Sequence, residues 1–388
     1  MRPSLLRNHT IHVCLVQPVQ APYWTERIRA LACHKGLSVT LILERDSFAH
    51  RPGWGFQPID GVRTVVLNSA ILGSVRECHD LRYTIRGIRS VPWQLPFALS
   101  RLKPDVIVLC NATQMLLCLP LKWMTSSSLA LIVEDTPHAV RLLSPTARRF
   151  KAALYRRADA WFAFSEDAVE FLASIGIRNG VVRTSWSVDV EELAPPEDEN
   201  LKQDNNRRVR ITLVGAFIES KGVLLLLQAW NGLPADLREQ AEVLLAGTGP
   251  LFKTAQEYLE RHEIHEVRLL GQLPYPEVLD LLKSSDLFVL PTLQDLFSLT
   301  VLEAMACGCP VITTPFAGAR ELVHEGINGW LVDPTDIKAF MNVLKRALSM
   351  EREDLRRMGD AARKRVQTMD NNLVMERFAE DLIKIAEK

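Results

Sequence analysis

The sequence predicts an α/β protein with two doubly wound, Rossmann-like domains that face each other across a cleft. Short apolar runs alternate with amphipathic helical segments through most of the chain. That alternation is typical of parallel sheets covered by helices on both faces. It occurs in two series, separated by a polar, proline-bearing stretch at residues 194–208. A length of 388 residues also fits two or three globular domains better than one.

The first series occupies residues 1–193 and is predicted to form an N-terminal domain. Its strands are the short apolar runs "IHVCLVQP", "LSVTLILE", "DVIVLC", "LALIVED" and "AWFAFS". Amphipathic helical segments lie between them, such as "TERIRALACHKG" and the basic "TARRFKAALYRRA". Residues 52–100 show no clear periodicity.

The second series is predicted to form a C-terminal domain over residues 209–365, after a linker at 194–208. Its strands are "VRITLVG", "AEVLLAG", "VRLLG", "LFVLP", "PVITT" and "GWLV". Helices are predicted between them, and the short segment "RELVHEG" is expected to be one. A last amphipathic helix lies within residues 366–388 and is a candidate to pack back on the first domain. Ligands of open α/β sheets sit at the carboxyl ends of the strands.

The stretch "DLFSLTVLEAMACGCPVI", residues 295–312, carries the most specific signal in the sequence. A predicted strand precedes it, and a helix is expected to begin near Leu299. A helix start presents unpaired N–H groups and a partial positive charge, which make it a phosphate site. With a diphosphate there, Glu303 would accept hydrogen bonds from a ribose diol. Asp295 would face the group beyond the phosphates.

These acidic and hydroxyl residues have a second interpretation. Small polar and acidic side chains are favoured at helix N-termini, so Asp295 or Ser298 would then be no more than a helix cap. Spacing alone does not separate the two interpretations.

The stretch and its surroundings resemble glycosyltransferase family 4, the glycosyl transferases group 1, which are retaining nucleotide-sugar enzymes with the GT-B fold. The family pattern E-x(7)-E, in a setting such as "EGFGLTVLEAMACG", is matched by residues 295–303 with Asp in the first position. The similarity continues through "VGAFIESKGVLLLLQAW", "LLAGTGP", "VRLLGQLPYPEVLDLLKSSDLFVLPT" and "GARELVHEGINGWLVDP". It is close over about residues 210–335 and loose over the first half.

The resemblance implies a role for each matching residue. Glu303 would bind the donor ribose and Lys221 would neutralise the leaving diphosphate. Asp295 would contact the transferred sugar and support charge at its anomeric centre. These three residues are the implied catalytic set. The implied donor-binding residues are Gly215, Lys221, Gly271, Gln272, Leu273, Asp295, Ser298, Leu299, Thr300 and Glu303.

Three departures from the family pattern predict altered donor choice or weakened activity. Asp295 replaces the usual Glu, and its carboxylate reaches roughly 1.5 Å less, the length of one C–C bond. Ala216 stands where the family often has Arg, so the cationic clamp on the phosphates is reduced to Lys221. The first βα loop, "QPVQAPYWTE", contains no glycine, although many members have a glycine-rich loop there.

The acceptor site is expected in the first domain. The family often places a functional His near the end of the strand "LALIVED", and here Glu134 and Asp135 occupy that position, with His138 a few residues later. These three are further candidate catalytic residues, and Asn111 and His138 are candidate acceptor-binding residues. The alternatives are a solvent-exposed loop histidine and, at Asn111, an Asx turn.

The charge distribution bears on the partners. Residues 1–195 hold 23 Lys and Arg against 16 Asp and Glu, whereas the whole chain is neutral. The basic helix carries Arg148, Arg149, Lys151, Arg156 and Arg157, with Phe150, Tyr155 and Trp161 nearby. Contact with an anionic membrane and a merely solvated helix face both remain open. Nucleic acid is not expected, because no nucleic-acid module is apparent and the pI is about 7.1.

The sequence also predicts a compartment. Seven cysteines, an odd number in a large chain, favour a reducing environment. None has zinc-ligand spacing. No signal peptide is apparent, and the longest apolar stretch, "MLLCLPLKWM", is too short to span a bilayer. We therefore expect a cytoplasmic protein, with peripheral membrane association left open.

The resemblance implies a metal-independent hexosyltransferase (EC 2.4) without a cofactor. It would move a sugar from a nucleoside diphosphate sugar to a glycan or lipid-linked acceptor hydroxyl, with retention of configuration, as in polysaccharide, lipopolysaccharide or glycolipid assembly. Two alternatives remain: a non-catalytic sugar-nucleotide-binding protein on the same fold, and a GT-B epimerase or phosphorylase.

Overall fold

The computed structural model describes residues 10–47, 55–78, 83–135, 140, 143–195 and 207–388. The chain folds into two compact units. The first unit contains Met1–Cys78, Thr84–Ser187 and Asn371–Lys388, and the second contains Val188–Asp370.

A parallel sheet of seven strands forms the centre of the first unit. The strands of this unit are β1 (Ile11–Gln17), β2 (Leu37–Leu43), β3 (Arg63–Val66), β4 (Ala70–Cys78), β5 (Tyr83–Val91), β6 (Val106–Leu109), β7 (Ser128–Val133), β8 (Ala160–Ala163) and β9 (Val181–Arg183). The sheet order is β3-β2-β1-β6-β7-β8-β9, and β4 and β5 pair separately. Strands β1 and β6 are apolar and almost wholly buried, as expected when helices cover both faces.

The helices of this unit are α1 (Pro22–Ala32), α2 (Leu95–Leu102), α3 (Ala112–Cys118), α4 (Leu121–Met124), α5 (Pro145–Tyr155), α6 (Glu166–Ser174) and the C-terminal helix (Asn371–Ala386). The C-terminal helix packs on α1, β1 and β6. Its Phe378 ring lies 4.2 Å from the Phe162 ring, centroid to centroid. The last helix is thus part of the core of the first unit.

The second unit has a parallel sheet of six strands. They are β10 (Val209–Val214), β11 (Ala241–Ala246), β12 (Val267–Gly271), β13 (Leu287–Val289), β14 (Val311–Thr313) and β15 (Gly329–Leu331). The order is β12-β11-β10-β13-β14-β15. The chain first winds from β10 towards β12 and then returns to the other side of β10. Both sheets are therefore doubly wound, and the predicted α/β fold class is confirmed.

The helices of the second unit are α7 (Val223–Asn231), α8 (Ala235–Arg238), α9 (Phe252–Arg261), α10 (Tyr275–Lys283), α11 (Leu299–Ala306), α12 (Ile337–Leu348) and α13 (Arg352–Val366), with short 3₁₀ turns at Glu219–Lys221, Gly318–Leu322 and Gln367–Met369. Helix α13 packs against α11. A Cβ at Gly359 would lie 2.1 Å from the Gly308 carbonyl oxygen, so this contact requires glycine.

The expected helix at "RELVHEG" is wrong. The chain forms the 3₁₀ turn Gly318–Leu322 instead, and His324 to Ile327 follow as turn and loop. The reason is the preceding loop: the Ala319 amide donates to the Phe297 carbonyl at 2.7 Å, and a Cβ at Gly318 would lie 2.0 Å from the Leu296 carbonyl oxygen. Tertiary backbone contacts hold this segment too closely for a full helix to form.

Candidate functional site

The candidate site lies where the strand order of the second sheet reverses. Strands β10 and β13 are neighbours, with Ile211 opposite Leu287, although β11 and β12 lie between them in the chain. The connection from β10 runs into the turn Glu219–Lys221, and the connection from β13 runs towards α11. A reversal of strand order opens a crevice at the carboxyl ends of a parallel sheet, the usual ligand position in this architecture.

Lys221 is fixed by contacts between these two connections. Gly222 has φ +69°, and a Cβ there would lie 1.9 Å from the Pro291 carbonyl oxygen. The Ser220 carbonyl accepts hydrogen bonds from the Leu293 amide at 2.7 Å and from the Thr292 hydroxyl at 2.7 Å. The turn that carries Lys221 is therefore bound to the loop that follows β13.

The Lys221 ammonium group forms an ion pair and hydrogen bond with the Asp295 carboxylate. The two side chains are 23% and 17% exposed, so both remain accessible to a ligand. The Asp295 backbone is held on its other side, where its carbonyl accepts a hydrogen bond from the Gly318 amide at 3.2 Å. Sequence analysis placed both residues in the donor site, and the structure brings their charged groups into contact.

Helix α11 begins directly after Ser298, which has an unusual conformation. Ser298 has φ +74° and ψ +76°, its side chain makes no capping hydrogen bond, and its hydroxyl is buried without a partner. The interpretation of Ser298 as a helix cap is therefore wrong. The amides of Leu299 and Thr300, as the first two of the helix, have no intrahelical acceptor. A left-handed non-glycine residue costs about 1–2 kcal/mol, and such strain is typical of functional sites.

Glu303 lies one turn into α11 and is 9% exposed. Its Oε1 accepts a hydrogen bond of 3.0 Å from the hydroxyl of Tyr275, the first residue of α10. Burial, followed by the charge of Glu303 and this hydrogen bond, raises the pKa of Tyr275 well above its usual value. The phenol therefore stays protonated and acts as the donor. Sequence analysis missed Tyr275, because no motif marks this position.

Glycines line the carboxyl ends of β10, β11 and β12. A Cβ at Gly247 would lie 1.9 Å from the Gly215 carbonyl oxygen, and the Gly247 amide donates to the Gly271 carbonyl at 2.7 Å. At Gly271, with φ +70°, no other group lies within 4 Å of an added Cβ. Gln272 is exposed, and Leu273 packs against the cluster around Leu281. The backbone is therefore open at Gly271, one of the implied donor-binding residues.

The candidate acceptor residues of the first unit have different surroundings. Asp135 pairs with Lys151 and accepts a hydrogen bond of 3.0 Å from the Tyr155 hydroxyl. The pKa of Glu134 is raised to about 7, first by burial and then by the negative charge of Asp135, while the positive charge of Arg27 acts in the opposite direction. The Asn111 Oδ1 accepts a hydrogen bond of 2.9 Å from the Gln114 amide and so caps α3. His138 lies outside the described residues.

Glu44 is a buried carboxyl group that sequence analysis did not select. It follows β2 and is 1% exposed. Its Oε1 accepts a hydrogen bond of 2.7 Å from the Gln114 side chain. Burial raises the pKa of Glu44 to about 7, although hydrogen bonds from Gln114 and Asn111 lower it in part. The signal that could have identified Glu44 from the sequence is its position as an acidic residue at the end of the apolar run "LSVTLILE".

Residues 196–365 match the family model described as "Glycosyl transferases group 1". This range contains all the candidate donor-site residues described above. Residues 196–365 therefore belong to the group 1 glycosyltransferases. The family prediction is confirmed.

Two relatives illustrate the similarity of this chain to curated proteins. It is 31% identical over 235 residues to an MMP alpha-(1->4)-mannosyltransferase of Mycolicibacterium hassiacum, covering 56% of each chain. It is 26% identical over 241 residues to the putative colanic acid biosynthesis glycosyltransferase WcaL of Escherichia coli, covering 59% of this chain and 57% of that one. Matches to the first relatives cover 35–49% of their lengths, so the chain spans about a third to a half of those proteins.

Solved structures extend the similarity of fold to nearly the whole chain. A sucrose-phosphate synthase of Thermosynechococcus elongatus aligns with a TM-score of 0.76 and 18% identity, covering 97% of this chain and 99% of that one. Anabaena Alr3699/HepE in complex with UDP aligns with a TM-score of 0.73 and 17% identity, covering 96% and 100%. These matches confirm the GT-B fold of this chain.

No described helix is long and apolar enough to cross a membrane. Within residues 10–47, 55–78, 83–135, 140, 143–195 and 207–388, no three His, Cys, Asp or Glu side chains group together as metal ligands.

Proposed function

We propose that this protein is a retaining, metal-independent glycosyltransferase. It moves a hexosyl group from a nucleoside diphosphate sugar to a hydroxyl of a glycan or lipid-linked acceptor. The observation that carries the proposal is the arrangement around α11: Lys221 and Asp295 are in contact before the helix, and Glu303 lies one turn inside it.

Each part of this arrangement fits one part of the donor. The free amides at the start of α11 and the Lys221 ammonium group suit a diphosphate, because both favour negative charge. The unpartnered Ser298 hydroxyl offers a further hydrogen bond. Glu303, held by Tyr275, presents a carboxylate at the distance of one helical turn, which suits a ribose diol.

In the chemical step, one bond at the anomeric carbon is replaced by another. The bond from that carbon to the diphosphate oxygen breaks, the bond to the acceptor oxygen forms, and the acceptor proton leaves with the nucleoside diphosphate. Lys221 and the helix amides stabilise the negative charge that develops on the departing diphosphate. The Asp295 carboxylate supports the positive charge that develops on the sugar.

The proposed acceptor site is the carboxyl edge of the first sheet, where Glu134 stands beside the pair Asp135–Lys151. Glu134, with its pKa raised to about 7, can accept a hydrogen bond from an acceptor hydroxyl when ionised and donate one when protonated. Asn111 is proposed to contribute to the same site indirectly. Its Oδ1 already accepts a hydrogen bond from the Gln114 amide, so its role there is to cap α3. We also propose that the protein is located in the cytoplasm.

A contact with an anionic membrane is proposed through α5. Arg148, Arg149 and Phe150 are exposed on this helix, Phe150 by 55%. The expectation that Tyr155 and Trp161 contribute aromatic surface is wrong, because they are 2% and 8% exposed and belong to the core. Binding to vesicles with and without phosphatidylserine tests this contact. The Arg148→Glu, Arg149→Glu variant should bind the phosphatidylserine vesicles more weakly than the unaltered protein does, and equal binding of both proteins would contradict the proposed membrane contact.

Glu303→Ala tests the donor site. We expect binding of the preferred nucleoside diphosphate, found by screening UDP, GDP, ADP and CDP, to weaken by about 10- to 100-fold, as for the loss of hydrogen bonds to a charged group. Glu257→Ala, at an exposed position of α9, is the matched control and should bind normally. Unchanged affinity in Glu303→Ala would remove the ribose role.

A second candidate function is sugar-nucleotide binding without transfer. Two observations favour it: Ala216 is exposed where relatives of the family often carry Arg, and Lys221 is already paired with Asp295. Assays of donor hydrolysis and transfer separate the candidates. Tight nucleotide binding with no turnover against any acceptor would support the binding protein, and released diphosphate together with a new glycoside would support the enzyme.

A further inference from the structure

We propose that Tyr275 is a nucleoside-contact residue, whose hydroxyl orients Glu303 and whose ring forms one wall of the pocket for the base and ribose. The inference rests on the proposed nucleotide-sugar function, and it concerns the end of the donor that the Lys221–Asp295 pair does not touch.

Tyr275 is in direct contact with Glu303. The Tyr275 hydroxyl lies 3.0 Å from Glu303 Oε1, and the two residues belong to different helices, α10 and α11. A carboxylate that has to accept hydrogen bonds from a ribose needs one rotamer. The phenol restricts that rotamer, because it can bond Glu303 in a narrow range of positions only.

Tyr275 also has an exposed surface. The residue is 53% exposed, although its hydroxyl group is hydrogen-bonded to Glu303. A large aromatic side chain that is tied down at its polar end and open along its ring is suited to stack on a planar or apolar ligand face. Nucleic-acid bases stack on such rings with about 1–3 kcal/mol each.

Tyr275 is also close to Gly271 in the chain. Tyr275 begins α10 four residues after Gly271, whose left-handed backbone leaves open space where a side chain would stand. In the proposed function Glu303 binds the ribose. Tyr275 is hydrogen-bonded to Glu303 and adjoins the open turn at Gly271, so it lies at the nucleoside.

Two variants separate the hydroxyl from the ring. Tyr275→Phe keeps the ring and loses the bond to Glu303, so the nucleoside diphosphate should bind about 5-fold more weakly. Tyr275→Ala also loses stacking, and a loss of about 10- to 100-fold is expected. Calorimetry with UDP, GDP, ADP and CDP measures these changes, and Tyr258→Ala, on α9, is the matched control.

Inorganic pyrophosphate provides the readout that a merely structural tyrosine would not move. It can use the Lys221 end of the site and has no nucleoside, so Tyr275→Ala should bind it as tightly as the unaltered protein does. An equal loss of pyrophosphate and nucleoside diphosphate affinity would mean that Tyr275 only supports the fold, and would overturn the proposal.

The outcomes also distinguish this proposal from the function on which it rests. If the unaltered protein binds a nucleoside diphosphate and Tyr275→Ala binds it equally well, the Tyr275 assignment fails and the donor site stands. If the unaltered protein binds none of the four nucleoside diphosphates, both fail.

Discussion

The ammonium group of Lys221 is ion-paired with the carboxylate of Asp295, although 74 positions separate the two residues in the sequence. In the proposed reaction these groups have different tasks, one at the diphosphate and the other at the sugar. Without a donor each is the other's counter-ion. A donor therefore has to compete with Asp295 for Lys221 when its phosphates bind.

Asp295→Asn should bind a nucleoside diphosphate more tightly than the unaltered protein, because it frees Lys221 from a charged competitor. A half-buried ion pair contributes about 1 kcal/mol, so an increase in affinity of about 5-fold is expected, with sugar transfer strongly reduced. Calorimetry with the nucleoside diphosphate measures the first change. Asp236→Asn, on α8, is the control, and a weaker or unchanged affinity in Asp295→Asn would contradict the competition.

Asp295→Glu restores the residue that the family pattern carries. The added methylene moves the carboxylate by roughly 1.5 Å, and a displacement of about that size in a catalytic contact can cost about 100-fold in rate. We expect transfer activity to fall, because the ion pair with Lys221 is built for the shorter side chain. An initial-rate assay of sugar transfer measures this change. A higher rate in Asp295→Glu than in the unaltered protein would show that Asp295 supports transfer less well than Glu does at this position.

Ser298→Gly should stabilise the second unit while weakening diphosphate binding. Glycine adopts the φ of +74° without strain, and the buried hydroxyl without a partner is removed, so the free energy of unfolding should rise by about 1 kcal/mol. Urea unfolding measures this change. Ser284→Gly, where the backbone is right-handed and the hydroxyl bonds Leu281, should lower stability instead. Lower stability in Ser298→Gly would show that the residue is not strained.

Gly222→Ala should destabilise the second unit and weaken diphosphate binding together. Its Cβ would lie 1.9 Å from the Pro291 carbonyl oxygen, so the turn that carries Lys221 must move, at a cost of about 3 kcal/mol or more. The control is Gly326→Ala, which has a similar φ of +71° but whose nearest neighbour is 3.5 Å away. It should lose only about 1 kcal/mol. Equal losses in the two variants would place the cause in the φ angle alone.

Glu44→Gln should remove part of the pH dependence of stability. Burial raises the pKa of Glu44 from 4.5 to about 7, so between these values the unfolded chain has lost the proton that the folded protein keeps. Stability therefore falls as the pH rises through this window, by up to about 3 kcal/mol in total. Glutamine cannot ionise, so the variant should be more stable than the unaltered protein at about pH 8 and similar to it at about pH 4.5.

Urea unfolding across this pH range measures the Glu44 effect. Glu257→Gln, an exposed position, should leave the dependence on pH unchanged. Identical slopes for Glu44→Gln and the unaltered protein would show that Glu44 is ionised in the folded state throughout.

Most strands of both sheets could be predicted, because a strand buried on both faces reads as a short apolar run whatever its neighbours are. Helix α13 was not predicted, since its sequence "REDLRRMGDAARKRV" is strongly polar and its buried residues are few: Leu355, Met358, Gly359, Ala362 and Val366. The helix predicted at residues 320–326 was wrong for the opposite reason. The local sequence pattern favours a helix, but backbone contacts with the loop at Leu296 and Phe297 prevent it from forming.

The sequence by itself determined the class of fold, the helix start at Leu299 and the chemical types of the donor-site residues. Apolar periodicity and a continuous motif are local properties, and they survive without knowledge of the tertiary structure. Only the tertiary structure decided that Lys221 meets Asp295, that Tyr275 holds Glu303 and that Ser298 is strained rather than a cap. Such relationships depend on which strand ends become neighbours, and the reversal of strand order at β10 and β13 brings together residues that the chain keeps far apart.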